Sequence, residues 1–205
     1  MQEKKKLVII ISGLAGAGKS VLCEKIAEHF KIKYTPTSGV LRSVLEMELK
    51  KQKVPVEKNT GFWESPEGKK FLADRLKDPD FDKKTDEELF KLIEKGGVVI
   101  DSWVMPWLSK KGYKIWLTAS DNIRFERISN RNGKSVEESK NSVVTKESKS
   151  IEIFKKTYGF TWGKNLEVFD LIINTDNLNE EQVFQKACEA IEKNPIGSGK
   201  IFNKN

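Results

Sequence analysis

Residues 7–26 read LVIIISGLAGAGKSVLCEKI. An apolar run from Leu7 to Ile11 leads into a glycine-rich turn, and the turn leads into an amphipathic pattern that continues to Phe30. Gly13, Gly18, Lys19 and Ser20 fit the phosphate-loop pattern G-x-x-x-x-G-K-[ST]. Across Gly13, Leu14, Ala15, Gly16, Ala17 and Gly18 the glycines let backbone N–H groups converge on phosphate oxygens, which bulkier residues would obstruct. The helix that begins at Lys19 adds a dipole favouring negative charge. Lys19 is expected to reach the β- and γ-phosphates of a nucleoside triphosphate, and the Ser20 hydroxyl to ligate Mg²⁺.

A metal in that position needs a carboxylate to hold its water shell. Asp101 ends the apolar run GVVID (97–101) and is the expected partner of Ser20. Cofactors are therefore expected to be ATP and Mg²⁺. Further apolar runs bounded by turn signals occur at 32–35 (IKYT), 113–119 (YKIWLTA) and 170–174 (DLIIN), with helical patterns between them. Alternation of this kind predicts an α/β fold, a five-stranded parallel sheet with helices on both faces and ligands at the carboxyl ends of the strands. Helix starts are predicted from [ST]-x-x-[DE] boxes at Thr85/Glu88 and Ser135/Glu138, a weaker box at Asn179/Gln182, and Ser65 followed by Pro66. The 205 residues are read as one P-loop kinase domain, with a helical acceptor-side insert at about 36–95 and a lid at about 132–165. The tail after the last helix, NPIGSGKIFNKN, is expected to fray.

The composition restricts the alternatives. No apolar run approaches the roughly 20 residues that span a bilayer, and LVIII is too short for the core of a signal peptide. A cytoplasmic chain without membrane partners is expected. With His29 as the single histidine and Cys23 and Cys188 far apart, neither a histidine triad nor a zinc site can be assembled. The net charge of +7 rests on lysines spread along the chain, which describes a solvated surface better than an RNA-binding patch. A monomer is expected.

The few arginines are informative. Arg127 and Arg131 stand i, i+4 on the helix after the fourth strand, where two guanidinium forks can clamp triphosphate oxygens and neutralise charge in the transition state. Arg42, in TSGVLRSVL, lies one turn into a helix beginning near Ser38. With Ser38 and Gly39 it makes an anion grip for an acceptor phosphate. Trp103 and Trp107 admit three readings: a platform for a base, the wall of an apolar pocket, or core packing.

Taken in order, SGLAGAGKS, SGVLR, DPDFDKKTDEE, VVIDSW, IWLTAS, NIRFERISNRNGKS, KES, KKTYGF and DLIINTDNLNEEQV resemble the compact archaeal cytidylate kinases over roughly residues 7–192. The resemblance implies transfer of the ATP γ-phosphoryl group to a nucleoside monophosphate, CMP or dCMP. It assigns Lys19, Arg127 and Arg131 to catalysis, and Asn174 and Thr175 to the neighbourhood of the adenine. Ser38, Gly39, Arg42, Asp101 and Trp103 fall on the acceptor side. The chain departs from the pattern where acid-Gly-Arg becomes Asp101-Ser102-Trp103, where a lid Arg-Glu becomes Lys146-Glu147, where Arg-Tyr becomes Ile153-Phe154, and where an acid becomes Thr161. Lysine does not reproduce a bidentate arginine, and isoleucine carries no charge at all. Two other readings stand beside the cytidylate kinase: a P-loop kinase for another small acceptor, and a degenerate kinase that binds or hydrolyses ATP while contacting RNA or protein.

Overall fold

The computed structural model describes residues 7–51 and 80–200. The five apolar runs form five strands: β1 Val8–Gly13, β2 Lys33–Pro36, β3 Val98–Asp101, β4 Tyr113–Thr118 and β5 Leu171–Asn174. They make one sheet in the order β2-β3-β1-β4-β5, with every pairing parallel. The helices are α1 Lys19–Phe30, α2 Thr37–Lys51, α3 Asp80–Lys95, α4 Met105–Leu108, α5 Asp121–Asn132, α6 Val136–Tyr158 and α7 Glu180–Lys193.

Successive side chains of a strand point to opposite faces, so a parallel sheet covered on both sides needs apolar residues at nearly every position. In β1, Ile9 and Ile11 pack with Leu22, Cys23 and Ile26 of α1 and with Val183, Ala187 and Ile191 of α7. Val8 and Ile10 go to the other face, with Leu89 and Ile93 of α3 and a large aromatic group that includes Trp107, Trp116, Phe160, Trp162 and Phe169. Both cysteines are free and buried.

The boxes at Ser135 and Asn179 cap α6 and α7 in full, each with both reciprocal hydrogen bonds. Thr85 differs. It lies inside α3, and its hydroxyl donates to the Phe81 carbonyl (3.1 Å), the back-bond that lets threonine sit within a helix. Ser65–Pro66 falls outside the described residues.

The tail differs from the expectation as far as Lys200. Lys114 sits in β4 with no exposed surface, and its ammonium donates to the Lys200 carbonyl. Asp170 accepts from the backbone N–H groups of Lys114 (2.8 Å) and Ser198 (2.6 Å). A lysine buried in the sheet needs an acceptor, and the returning chain supplies one.

Burial lowers the Lys114 ammonium to about 8, against the opposing pull of Asp170. Because its folded value lies below the ordinary one, Lys114 costs stability while charged, and stability recovers as pH rises from about 8 towards 10.5. Lys114→Met should remove that rise in urea melts taken across this range.

Candidate active site

The phosphate loop leaves β1 between two neighbours, β3 and β4, where ligands gather in open parallel sheets. Its shape is forced by crowding. Gly13 has φ 141°, and a Cβ there would stand 2.0 Å from the Leu117 carbonyl oxygen. Gly16 has φ 81°, and a Cβ would stand 2.7 Å from the Arg124 carbonyl oxygen and 3.1 Å from Ile128 Cδ1. The loop is thus wedged between β4 and α5, and only glycine fits at these two points.

The two residues expected to share a metal lie together. Ser20 Oγ donates to Asp101 Oδ2 at 3.4 Å, across 81 residues of chain. The pair offers hard oxygen donors, and among the described residues no cluster of three or more His, Cys, Asp or Glu could cage a metal. Such a sparse oxygen set suits Mg²⁺, which keeps waters and substrate phosphates in its shell. Lys19 folds back so that its ammonium donates to the Leu14 carbonyl (3.0 Å).

Both charged groups are half-buried. Burial pushes Lys19 below the ordinary lysine range, with Asp101 opposing the shift. Burial likewise raises Asp101, opposed by Lys19, by the Ser20 hydroxyl and by Lys146 of α6. Lys146 also bears on Lys19, and its ammonium lies 5.8 Å over the Trp103 ring. Lys146 stands where the resemblance expects the arginine of the lid's Arg-Glu pair.

Arg127 is half-buried and bonded to Thr175 twice, through Nη1 to Oγ1 and Nη2 to the carbonyl (2.9 Å each), with Nη1 also 3.5 Å from the Gly16 carbonyl. These bonds bring Arg127, Thr175 and the phosphate loop to one place. Asn174 is exposed beside them, its Oδ1 accepting from the Asp176 N–H (2.8 Å). Arg131 is exposed and donates to Asn132 (3.2 Å). Arg42 donates to Glu46 on its own helix (3.1 Å), while Ser38 and Gly39 are exposed in the first turn of α2.

Trp103 is partly buried, stacked on Trp162 with centroids 4.6 Å apart, and edge-on to Phe154 at 6.2 Å. Trp107 is 1% exposed, stacked on Phe160 and edge-on to Trp116 and Phe169, so the core reading holds for it. The Ile153–Phe154 departure packs into the same aromatic face of the core. Arg124, which received no role from the sequence, is 3% exposed and bonds to the loop itself, Nη1 donating to the Ala15 carbonyl (3.0 Å).

A carboxylate whose folded value is raised costs stability as pH climbs from its ordinary range through the folded value. Asp101→Asn should therefore raise the melting temperature of the ligand-free protein at pH 7, by about 2–4 °C if it recovers about 1 kcal/mol. The same variant should lose the further rise that MgATP gives the wild type. Both effects are read by calorimetry.

The cytidylate kinase-like family model matches residues 8–177. The cytidylate kinase of Pyrococcus horikoshii is 32% identical over 196 residues, which cover 95% of this chain and 93% of that protein. That of Pyrococcus furiosus is 29% identical, covering 93% and 92%. Among solved structures, shikimate kinase from Acinetobacter baumannii superposes with a TM-score of 0.54 at 15% identity, covering 94% of this chain and 97% of that one, a likeness of fold alone. With the phosphate loop, the five-stranded parallel sheet and this extent of similarity, the chain belongs to the cytidylate kinase-like family.

Proposed function

We propose that the protein is an ATP-dependent nucleoside-monophosphate kinase that transfers the γ-phosphoryl group of ATP to CMP or dCMP. The observation that carries this reading is the convergence of three strand ends on the phosphate loop. β1 supplies the loop itself, β3 the Asp101–Ser20 pair, and β5 the Thr175–Arg127 pair.

The donor lies along the loop, its phosphates against the backbone N–H groups beyond Ala15, whose own N–H is held by Glu147, and against Lys19, its adenine towards Asn174 and Thr175. Ser20 and Asp101 would hold Mg²⁺, which would supply neutralisation of phosphate charge. Arg127 already sits half-buried beside the loop, fixed by its two bonds to Thr175, so it loses little freedom in meeting the triphosphate. Arg131 is exposed one turn further along and swings in from solvent. The acceptor enters from the side of α2, where Ser38, Gly39 and Arg42 face it. Arg42 exchanges Glu46 for the acceptor phosphate, a switch within reach because that pair is partly exposed and i, i+4 on one helix.

The segment 36–95, of which residues 52–79 lie outside the described ones, is read as the acceptor side and 132–165 as the lid. Within the lid, Lys146 lies close enough to Lys19 and Asp101 to affect both charges, which puts an ammonium at the expected site of transfer. No protein nucleophile is needed. Positioning, positive charge and exclusion of water carry the reaction. The protein works as a monomer in the cytoplasm. Among the described residues no helix is long and apolar enough to cross a membrane.

ADP production with a panel of acceptors, namely CMP, dCMP, UMP, AMP and shikimate, tests the reading. CMP or dCMP should give the highest kcat/KM, and preference for another acceptor would reassign the substrate. Lys19→Ala should abolish tight MgATP binding in calorimetric titration with the melting temperature retained, because its side chain faces the loop and not the core. Arg42→Ala should raise the KM for CMP by about tenfold or more, the loss of a charge-assisted hydrogen bond, with ATP affinity unchanged. Equal loss of both ligands would make Arg42 a scaffold residue.

A further inference from the structure

Ala15 sits in the middle of the phosphate loop, and both of its peptide groups are held by side chains from outside it. Its N–H donates to Glu147 Oε1 of α6 (3.0 Å), and its carbonyl accepts from Arg124 Nη1 of α5 (3.0 Å). The same Arg124 Nη1 donates to the same Glu147 oxygen (3.0 Å), closing a three-membered network. Arg124 Nη2 is anchored separately on Asp121 (2.6 Å). The ion pair is shielded, the side chains of Arg124 and Glu147 being 4% and 12% exposed. Beside it Val143 of α6 packs with Phe125 and Ile128 of α5 and with Ala15 of the loop.

The bonds are not equivalent when α6 moves. Arg124 belongs to α5 and is fixed by Asp121 and by the Ala15 carbonyl, so it stays with the loop. Glu147 is the group that leaves. Lifting α6 breaks two hydrogen bonds to one carboxylate oxygen and uncovers the arginine. A charge-assisted hydrogen bond contributes about 1.5–3 kcal/mol, which is roughly ten- to a hundredfold in an opening equilibrium.

We propose that Glu147 and Arg124 are a latch that holds the lid helix shut on the backbone of the phosphate loop, so that nucleotide is admitted and released only when the Glu147 bonds open. Both are positioning residues, acting on the loop and the lid and not on the phosphoryl group. The inference rests on the reading of α6 as a lid over a nucleotide bound along the loop. The latch is made by side chains of the protein itself, so it forms without ligand and opposes passage in both directions.

A gate differs from a binding contact in its kinetic signature. Weakening a gate speeds association and dissociation together and leaves Kd nearly constant, whereas removing a contact to bound nucleotide speeds dissociation alone. Stopped-flow fluorescence with N-methylanthraniloyl-ADP on the wild-type chain and on Glu147→Gln reads both rates without any acceptor. Glu147→Gln keeps an acceptor for the Ala15 N–H and removes the charge that faces Arg124. Both rate constants should rise about tenfold, with Kd changing less than threefold. Glu147→Ala should raise them further. Amide hydrogen exchange gives an independent readout: the Ala15 N–H should be protected in the nucleotide-free wild type and exposed to exchange in Glu147→Ala, at equal melting temperature. Faster dissociation with unchanged association overturns the latch, as do unchanged rates. A wild-type chain that does not bind the probe overturns the nucleotide reading and the latch together.

Discussion

The active site rests on a steric constraint at the point where β1 leaves the sheet. Gly13 lies so close to the Leu117 carbonyl, and Gly16 so close to the Arg124 backbone, that the loop's path is set by β4 and α5. Nothing about that path requires a ligand. The loop's N–H groups are therefore arranged in advance of the phosphate proposed to bind there, which lowers the cost of ordering the loop on binding. The sheet makes this possible because β1 is central and apolar on both faces, packed against α1 and α7 on one side and the aromatic group on the other. A loop growing from an edge strand would have no such wall on either side.

That rigidity carries an electrostatic cost. Lys19 and Asp101 are both pushed by burial towards their neutral forms even though each supports the other's charge. Burial thus works against charge on both groups in the ligand-free site, the kind of local destabilisation that accompanies function. The two-sided apolar core bears it. Lys114 shows the same economy at the opposite end of β4, where a buried ammonium is satisfied by the returning chain at Lys200.

Much of this was legible in the residues. Five apolar runs became five strands because a parallel sheet buried on both faces leaves no room for polar alternation. The Ser135 and Asn179 boxes were legible because the chain on their amino-terminal side does not continue the helix. Thr85 misled for the converse reason: α3 already begins at Asp80, and a threonine that bonds the carbonyl four residues back imitates a cap. Ser20 with Asp101 could be paired because strand-end acids beside a phosphate loop have a chemical task. Arg124 had no such signal, and Glu147, although it stands in the lid pair Lys146-Glu147, gave no hint of its partner. Glu147 meets Ala15 across 132 residues, and the contact exists only after α5 and α6 have packed. Spacing on one helix directs attention to Arg127 and Arg131, yet Arg124, three residues earlier, is the one turned into the protein.

The departures from the arginine-rich pattern acquire a physical sense once their surroundings are known. Where the resemblance leads one to expect Arg, Trp103 stacks on Trp162, and Ile153 and Phe154 extend the same aromatic wall. An ammonium, that of Lys146, lies over Trp103 at a distance where the ring's quadrupole attracts it. A lysine lacks the fork that fixes an arginine on a phosphate, and the aromatic face supplies part of the missing restraint. The wall has a second effect. Indole and phenyl rings exclude water and lower the local dielectric, so each remaining charge acts more strongly on its neighbours than it would at a wet surface. Lys146 itself is exposed, and Lys19 and Asp101 are half-buried, so the wall shields one side of these charges only. An aromatic wall is not equivalent to a set of arginines, because Lys146, Ile153 and Phe154 reach it only through the packing of α6. A kinase built this way depends more heavily on holding that helix in place, which is where the buried ion pair between Arg124 and Glu147 stands.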